Sequence, residues 1–237
     1  NGNGKSALVQ AIMGHPKYTV TKGRVLYNEQ DVLSLPVDQR SKLGLFLAMQ
    51  YPQEISGITN SDFLRACLNE RSEEPVSFFK FYKTMQQNIE ALEMKSDLAH
   101  RFLNVGFSGG EKKRNEIMQM KILKPSLGML DEIDSGLDVD ALKIVAKAIH
   151  EMIEETKLSL LVVSHYERFY QLLQPTFAHV MINGKIVKSG GIDLVNKIDD
   201  EGYDWLYKEI GIQPEVEKVK VSTPISLSNC GASKKGL

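Results

Sequence analysis

The chain has 237 residues, 42% of them hydrophobic and 25% charged, with a formal net charge of -1. That length suits one large α/β domain or two small ones, and the near-neutral balance excludes the basic excess of a nucleic-acid binder. No apolar run approaches the roughly 20 residues of a membrane-spanning helix, and two cysteines, Cys67 and Cys230, supply neither a disulfide framework nor a zinc or iron–sulfur ligand set.

The chain opens on Asn1-Gly-Asn-Gly-Lys-Ser6. Gly2 and Gly4 let backbone N–H groups fold around phosphate oxygens. Lys5 places a positive charge near the β- and γ-phosphates, and the Ser6 hydroxyl suits Mg²⁺. A helix is predicted over Lys5–Met13, ended by Gly14 and Pro16; it turns its positive end to the same anion. A glycine-rich turn that merely caps a helix is the plain alternative. A phosphate loop sits between a buried strand and a helix. No strand precedes Asn1, so the chain reads as lacking the N-terminal part of its domain.

Further on, Gly23–Tyr27 reads as a short strand and Pro36–Leu43 as a short helix with proline at its start. Leu45–Met49 is a buried strand between Gly44 and Pro52, with Gln50 at its end. Helical spacing covers Ser61–Asn69, Ser77–Met94 and Glu111–Leu123. Strand Leu127–Leu130, helix Val139–Glu155, strand Leu158–Val163 and helix Glu167–Leu173 then alternate, which predicts a parallel sheet with crossover helices. Asn183-Gly184 inside Val180–Val187 predicts a hairpin, and Gly190-Gly191 leads to a short helix near Leu194. Beyond Gly211 the chain turns polar and rich in Ser and Pro, which predicts a flexible tail over 212–237.

Four stretches carry chemistry besides the opening loop. Phe107-Ser-Gly-Gly-Glu-Lys-Lys-Arg114 contains a capping box, Ser108 with Glu111, but a cap does not need both Gly109 and Gly110. Paired glycines allow close approach to a ligand such as a γ-phosphate. Lys112, Lys113 and Arg114 sit in the first turns, where the helix dipole disfavours each cation by ~0.3–1 kcal/mol. They face either an anion or partner, or simply solvent. Asp131-Glu132 ends an apolar strand, where burying carboxylates is costly unless a metal or donor satisfies them; an exposed acidic loop is the alternative. Ser164-His165 follows the next strand. Asp138 fits a helix N-cap for Val139 onward.

In this order the motifs resemble those of ABC ATPases. The stretches Asp131-Glu-Ile-Asp-Ser-Gly-Leu-Asp138, Leu45–Ile58, Glu111–Glu116 and Ser164–Phe169 narrow the resemblance to the SufC family, the ATPases of the SUF iron–sulfur cluster assembly system. The match runs from Asn1 to about Gly211. The resemblance implies an α/β P-loop ABC ATPase domain over 1–211, truncated at its N-terminus, with a mostly parallel sheet core, a helical subdomain at about 55–125 and antiparallel elements. It implies that Asn1, Gly2, Asn3, Gly4, Lys5 and Ser6 bind ATP. Ser6, Gln50 and Asp131 would hold Mg²⁺, while Glu132, His165 and Gln50 carry catalysis. Ser108, Gly109 and Gly110 would contact ATP on a second copy, and Asp138 would cross the dimer seam. It further implies ATP-dependent homodimerisation, SufB- and SufD-type scaffold partners, no membrane insertion and no nucleic acid. The implied location is the cytoplasm, or an organelle stroma if a leader was lost with the N-terminus. Three other readings compete: a transporter ATPase subunit, an SMC-type DNA-maintenance ATPase and a non-hydrolytic fragment. The SMC type needs a long coiled coil between its nucleotide motifs, and no sustained heptads appear.

Overall fold

The computed structural model describes residues 2–211; Asn1 of the phosphate loop and the tail over 212–237 lie outside the described residues. Helix α1 (Lys5–Met13) starts at Gly4, whose φ of 90° suits only a residue without a Cβ, and it stops at Gly14. The strand expected over 23–27 shrinks to β1 (Leu26–Tyr27), which pairs antiparallel with β2 (Gln30–Asp31). The turn between them, Asn28-Glu29, has φ values of 48° and 65°. That is a left-handed pair of the kind hairpins favour, but glutamate in place of glycine hides the signal. Pro36 caps α2 (Val37–Lys42) from outside.

The parallel sheet is where expected. β3 (Leu45–Ala48) pairs with β6 (Leu127–Asp131), which pairs with β7 (Ser159–Val163), all parallel. Its strands alternate between two cores, as the two-residue period requires. Phe46, Ala48 and Leu130 enter one cluster with Met85, Ile89, Ile117, Val145 and Ile149. Leu45, Leu47, Met129 and Val163 enter another with Val9 of α1 and Val32. Burial on both faces, at about 1.5–3 kcal/mol for each fully buried large side chain, makes the sheet a rigid base. The loops leaving its C-terminal edge carry Gln50, Asp131-Glu132 and His165, the edge where open α/β sheets bind ligands.

The helical region contains one element the periodicity did not reveal. β4 (Ile55–Thr59) pairs antiparallel with β5 (Phe102–Leu103), beyond the reach of a local pattern. Thr59 then caps α3 (Asn60–Asn69), its hydroxyl accepting from the Asp62 N–H. α4 (Phe78–Ala91) is shorter than the expected Ser77–Met94 because the chain turns left-handed at Glu93. α5 (Gly109–Leu123), α6 (Val139–Thr156) and α7 (Glu167–Leu173) follow, each close to its expected bounds.

β8 (Ala178–Ile182) and β9 (Lys185–Gly190) form the expected hairpin around Asn183-Gly184, followed by α8 (Ile192–Glu201). An apolar cavity of about 590 Å³ lies between β7 and this hairpin and also touches Leu8 and Val9 of α1. Residues as far as Asp200 make one compact unit; a second begins at Glu201 and contains α9 (Asp204–Ile210). Among the described residues, no helix is long and apolar enough to cross a membrane.

Candidate functional site

The phosphate-loop residues, Glu132 and the histidine meet at one concavity. A pocket of about 240 Å³ is lined by the loop from Gly2 to Ala7 together with Glu132 and His165. That is below the roughly 300–1,000 Å³ of a pocket for a whole drug-sized ligand, and fits a phosphate tail. The loop is propped from behind. The Asn183 N–H donates to Asn3 Oδ1 at 3.0 Å, and the Gly184 N–H to the Asn3 carbonyl at 3.1 Å. The hairpin expected from Asn183-Gly184 thus shapes the phosphate loop, a role its sequence did not announce.

Asp131 is fully buried. Its Oδ1 accepts from the Ser6 hydroxyl at 2.7 Å and its Oδ2 from the Gln10 amide at 3.2 Å. Both donors are neutral, and among the described residues no cation lies within ion-pair distance of this buried carboxyl, which is costly to keep charged without a counter-ion. Ser6, Asp131 and the nearby Gln50 offer hard oxygen donors, the set Mg²⁺ takes alongside phosphate oxygens and water. No cluster of three or more His, Cys, Asp or Glu residues is placed to hold a metal among the described residues. The oxygens of Ser6, Asp131 and Gln50 suit a Mg²⁺ that takes its remaining ligands from phosphate and water. Burial draws the Lys5 ammonium below its usual range, opposed by Glu132 and Asp131. A phosphate placed there would oppose that lowering further.

Glu132 stands between two partners. One carboxylate oxygen lies 2.8 Å from His165 Nε2, and the other accepts a very short hydrogen bond from the Gln50 amide. Its backbone is left-handed, φ 47°, and is pinned by its N–H to the Val163 carbonyl at 2.8 Å. Such a conformation costs a side-chain-bearing residue about 1–2 kcal/mol and persists where surroundings impose it. Glu132 thus links the other two residues assigned to catalysis, Gln50 and His165, all three from the ends of parallel strands.

The signature segment lies on the helical region. Ser108 Oγ accepts from the Glu111 N–H at 3.2 Å, and Glu111 accepts from the Ser108 N–H at 2.8 Å, so the capping box is complete. A hydroxyl that accepts in a cap keeps its own proton to donate, so capping and ligand contact do not compete. A Cβ on Gly109 would meet nothing within 4 Å. Packing within the chain therefore gives no reason for that glycine. Asp138 caps α6, accepting from the Ala141 N–H at 2.8 Å.

Residues 1–135 match the family described as "ABC transporter". The chain belongs to the ABC ATPase family. It is 54% identical over 217 residues to the Vegetative protein 296 of Bacillus subtilis, covering 91% of this chain and 83% of that one. It is 47% identical over 213 residues to the iron-sulfur cluster assembly protein SufC of Plasmodium falciparum, covering 88% of this chain and 61% of that one. A probable ABC transporter ATP-binding protein of Streptococcus pyogenes is 47% identical, covering 92% and 85%. In fold it resembles a dimeric bacterial ABC transporter cassette, at a TM-score of 0.70 and 18% identity, over 81% of this chain and 82% of that one. The Plasmodium relative supports the SufC type.

In this ABC ATPase, α5 does more than present the signature. Lys113 does not lie in solvent. It is buried, and its ammonium donates to the carbonyls of Met49 at 3.1 Å and Gln50 at 2.5 Å. Burial lowers its pKa, and Glu116 opposes that most. Glu116, also buried, accepts from the Met49 N–H at 3.1 Å. Lys112 pairs with Glu54 at 2.6 Å, and Arg114 donates to the Glu93 carbonyl at 3.1 Å. Lys112 thus meets an anion, as one of the two expectations had it, while Lys113 and Arg114 are held by backbone carbonyls, which neither expectation foresaw.

A second missed group supports the histidine. Buried Asp134 accepts from the Ser164 hydroxyl at 2.7 Å, and that hydroxyl accepts from the Tyr166 N–H at 3.0 Å. Tyr170 closes the loop, donating to the Ser164 carbonyl at 2.9 Å. Burial pushes the Asp134 carboxyl up, against the Ser164 hydrogen bond. The only sequence hint was a second aspartate two residues after the catalytic pair.

Proposed function

We propose that this chain is the ATP-binding and ATP-hydrolysing subunit that drives iron–sulfur cluster assembly on a SufB/SufD-type scaffold, working in the cytoplasm through ATP-dependent pairing of two copies. The observation that carries the iron–sulfur reading is the 47% identity to the Plasmodium SufC, whose name states cluster assembly. The contact of Glu132 with Gln50 and His165 beside the phosphate loop supports the chemistry.

In this reading Gly2, Gly4 and Lys5 hold the phosphates and Ser6, Gln50 and Asp131 hold Mg²⁺. When bound, that ion would neutralise phosphate charge. Gln50 leaves Glu132 as the nucleotide enters, which frees one carboxylate oxygen to orient the attacking water. His165 stays on the other oxygen and keeps that carboxylate aimed. Ser108, with Gly109 and Gly110, closes on the γ-phosphate held by a second copy, and Asp138 lies at the seam. Hydrolysis removes the shared contact and the pair reopens. The segment after Gln50, from Tyr51 to about Arg65, passes the motion to the scaffold; Tyr51 is 75% exposed there and Ile55 44%.

A second reading, the ATPase subunit of an ABC transporter, is favoured by the names of the streptococcal relatives. Affinity purification of the full-length protein from its own cells separates the two. Co-purifying SufB- and SufD-like proteins are the expected result. An integral membrane partner would remove the iron–sulfur reading and leave the ATPase chemistry standing.

A further inference from the structure

The helical region contains a buried polar junction that the chemistry above does not use. Asn60 opens α3, Asn104 follows β5, and Asn115 lies on α5; all are 0–2% exposed. The Asn115 amide donates to Asn60 Oδ1 and to Asn104 Oδ1, both at 2.9 Å. Asn60 donates to the carbonyls of Leu98 and Arg101, each at 3.1 Å. Asn104 donates to the Gln53 carbonyl at 2.9 Å. One unbroken line of hydrogen bonds therefore runs from the end of the glutamine loop to the signature helix.

We propose that this triad is a positioning device that makes the glutamine loop and the signature segment move as one body, so that displacement of Gln50 by a nucleotide relocates Ser108. The proposal rests on the roles given above to Gln50 and Ser108. Three features support it. First, the loop is held by α5 at both ends, with Lys113 and Glu116 on Met49 and Gln50, and the triad on Gln53. Second, the chain from Asn104 to Ser108 is stiff. Arg101 donates to the Gly106 carbonyl at 3.1 Å, and its guanidinium lies 4.2 Å from the Phe107 ring centroid. Third, the junction is kept at a cost. Asn104 is left-handed at φ 60°, and Asn115 Oδ1 is buried without a hydrogen-bond partner among the described residues. Apolar side chains would fill this space without an unpaired acceptor. What amides add is direction, since each bond fixes an angle as well as a distance.

The test is hydrogen exchange on the full chain carrying Glu132→Gln, with and without ATP, at a concentration well below that at which ATP pairs two copies. The parent should show slowed exchange at residues 2–9 and a changed rate at 104–110. Asn104→Gly preserves the left-handed backbone and removes both side-chain bonds. It should leave the change at 2–9 intact and shrink that at 104–110 by about fivefold or more. With Glu132 restored, kcat should fall about tenfold while KM stays within about twofold. Asn104→Asp, which still accepts from Asn115 but cannot donate to Gln53, should behave likewise and covers the case in which the glycine variant does not fold. An undiminished change at 104–110 in the variants would overturn the proposal. No ATP effect at 2–9 in the parent would instead overturn the phosphate-loop assignment, and the proposal with it.

Discussion

Glu116 offers a quantitative check on how α5 grips the glutamine loop. It is 7% exposed, and burial raises its carboxyl pKa to about 7, opposed by the Met49 N–H and by Lys113. In the unfolded chain the same carboxyl titrates near the ordinary glutamate value of about 4.3. Between these two pH values the folded state holds the proton and the unfolded state has lost it. The folded state thus binds more protons, so stability from this group is fully present below the unfolded pKa and falls as pH rises through the folded one. At roughly 1.4 kcal/mol for each tenfold preference, the whole loss is about 4 kcal/mol. Glu116→Gln keeps an acceptor for the Met49 N–H and removes the titration. Urea unfolding of parent and variant between pH 4.5 and 8 reads the difference directly. The variant should gain on the parent steadily across this window, then level off. A parent–variant difference that stays constant with pH would refute the reasoning, because it would mean the carboxyl ionises alike in both states.

Other expectations follow from single contacts. Asp134→Ala removes the acceptor that fixes Ser164 and should lower kcat roughly ten- to hundredfold by misplacing His165; Asp134→Asn, which still accepts from the hydroxyl, should restore most of it, and full activity in the alanine variant would separate Asp134 from the histidine. Lys5→Ala should weaken nucleotide binding roughly 10–100-fold, the worth of a charge-assisted hydrogen bond, as titration with a fluorescent nucleotide would read; unaltered affinity would remove Lys5 from the site. Gly109→Ala meets no atom within 4 Å in the monomer, so its melting temperature should hold or rise, since alanine costs the backbone about 0.5–1 kcal/mol less order than glycine. The same variant should nonetheless fail to pair on ATP; normal pairing would show that no partner group approaches that glycine.

The parts of the fold that the sequence disclosed are those written locally. Apolar runs at Leu45–Ala48, Leu127–Asp131 and Ser159–Val163 mark the parallel strands, and Asn183-Gly184 marks the hairpin. Ser108 and Glu111 announce the cap that begins α5. What stayed hidden depends on partners distant in sequence. β4 is a strand only because β5 lies beside it. Lys113 looks like a solvent-facing cation in a charged run, until the backbone of Met49 and Gln50 is placed against it. The three asparagines read as separate loop and helix residues; Asn60 and Asn115 are 55 positions apart and meet only in the packed molecule. Among the site residues, Gly2–Ser6, Gln50, Asp131, Glu132 and His165 were marked by motif order, and the structure brings Glu132 and His165 to the wall of one pocket with the loop. Asp134 and Ser164 lie inside motif stretches, but nothing local shows that they bond each other or that Tyr170 closes on Ser164, because the partners are distant in sequence or hidden within a helix.

The central claim, that ATP joins two copies and Glu132 is needed to part them, is tested most directly by sedimentation of the full-length Glu132→Gln variant with and without Mg·ATP. The account predicts a monomer that becomes a dimer on adding ATP and stays one, with hydrolysis reduced by roughly 10²–10⁴. A variant that remains monomeric with ATP bound, or that hydrolyses ATP at the parent rate, would contradict it.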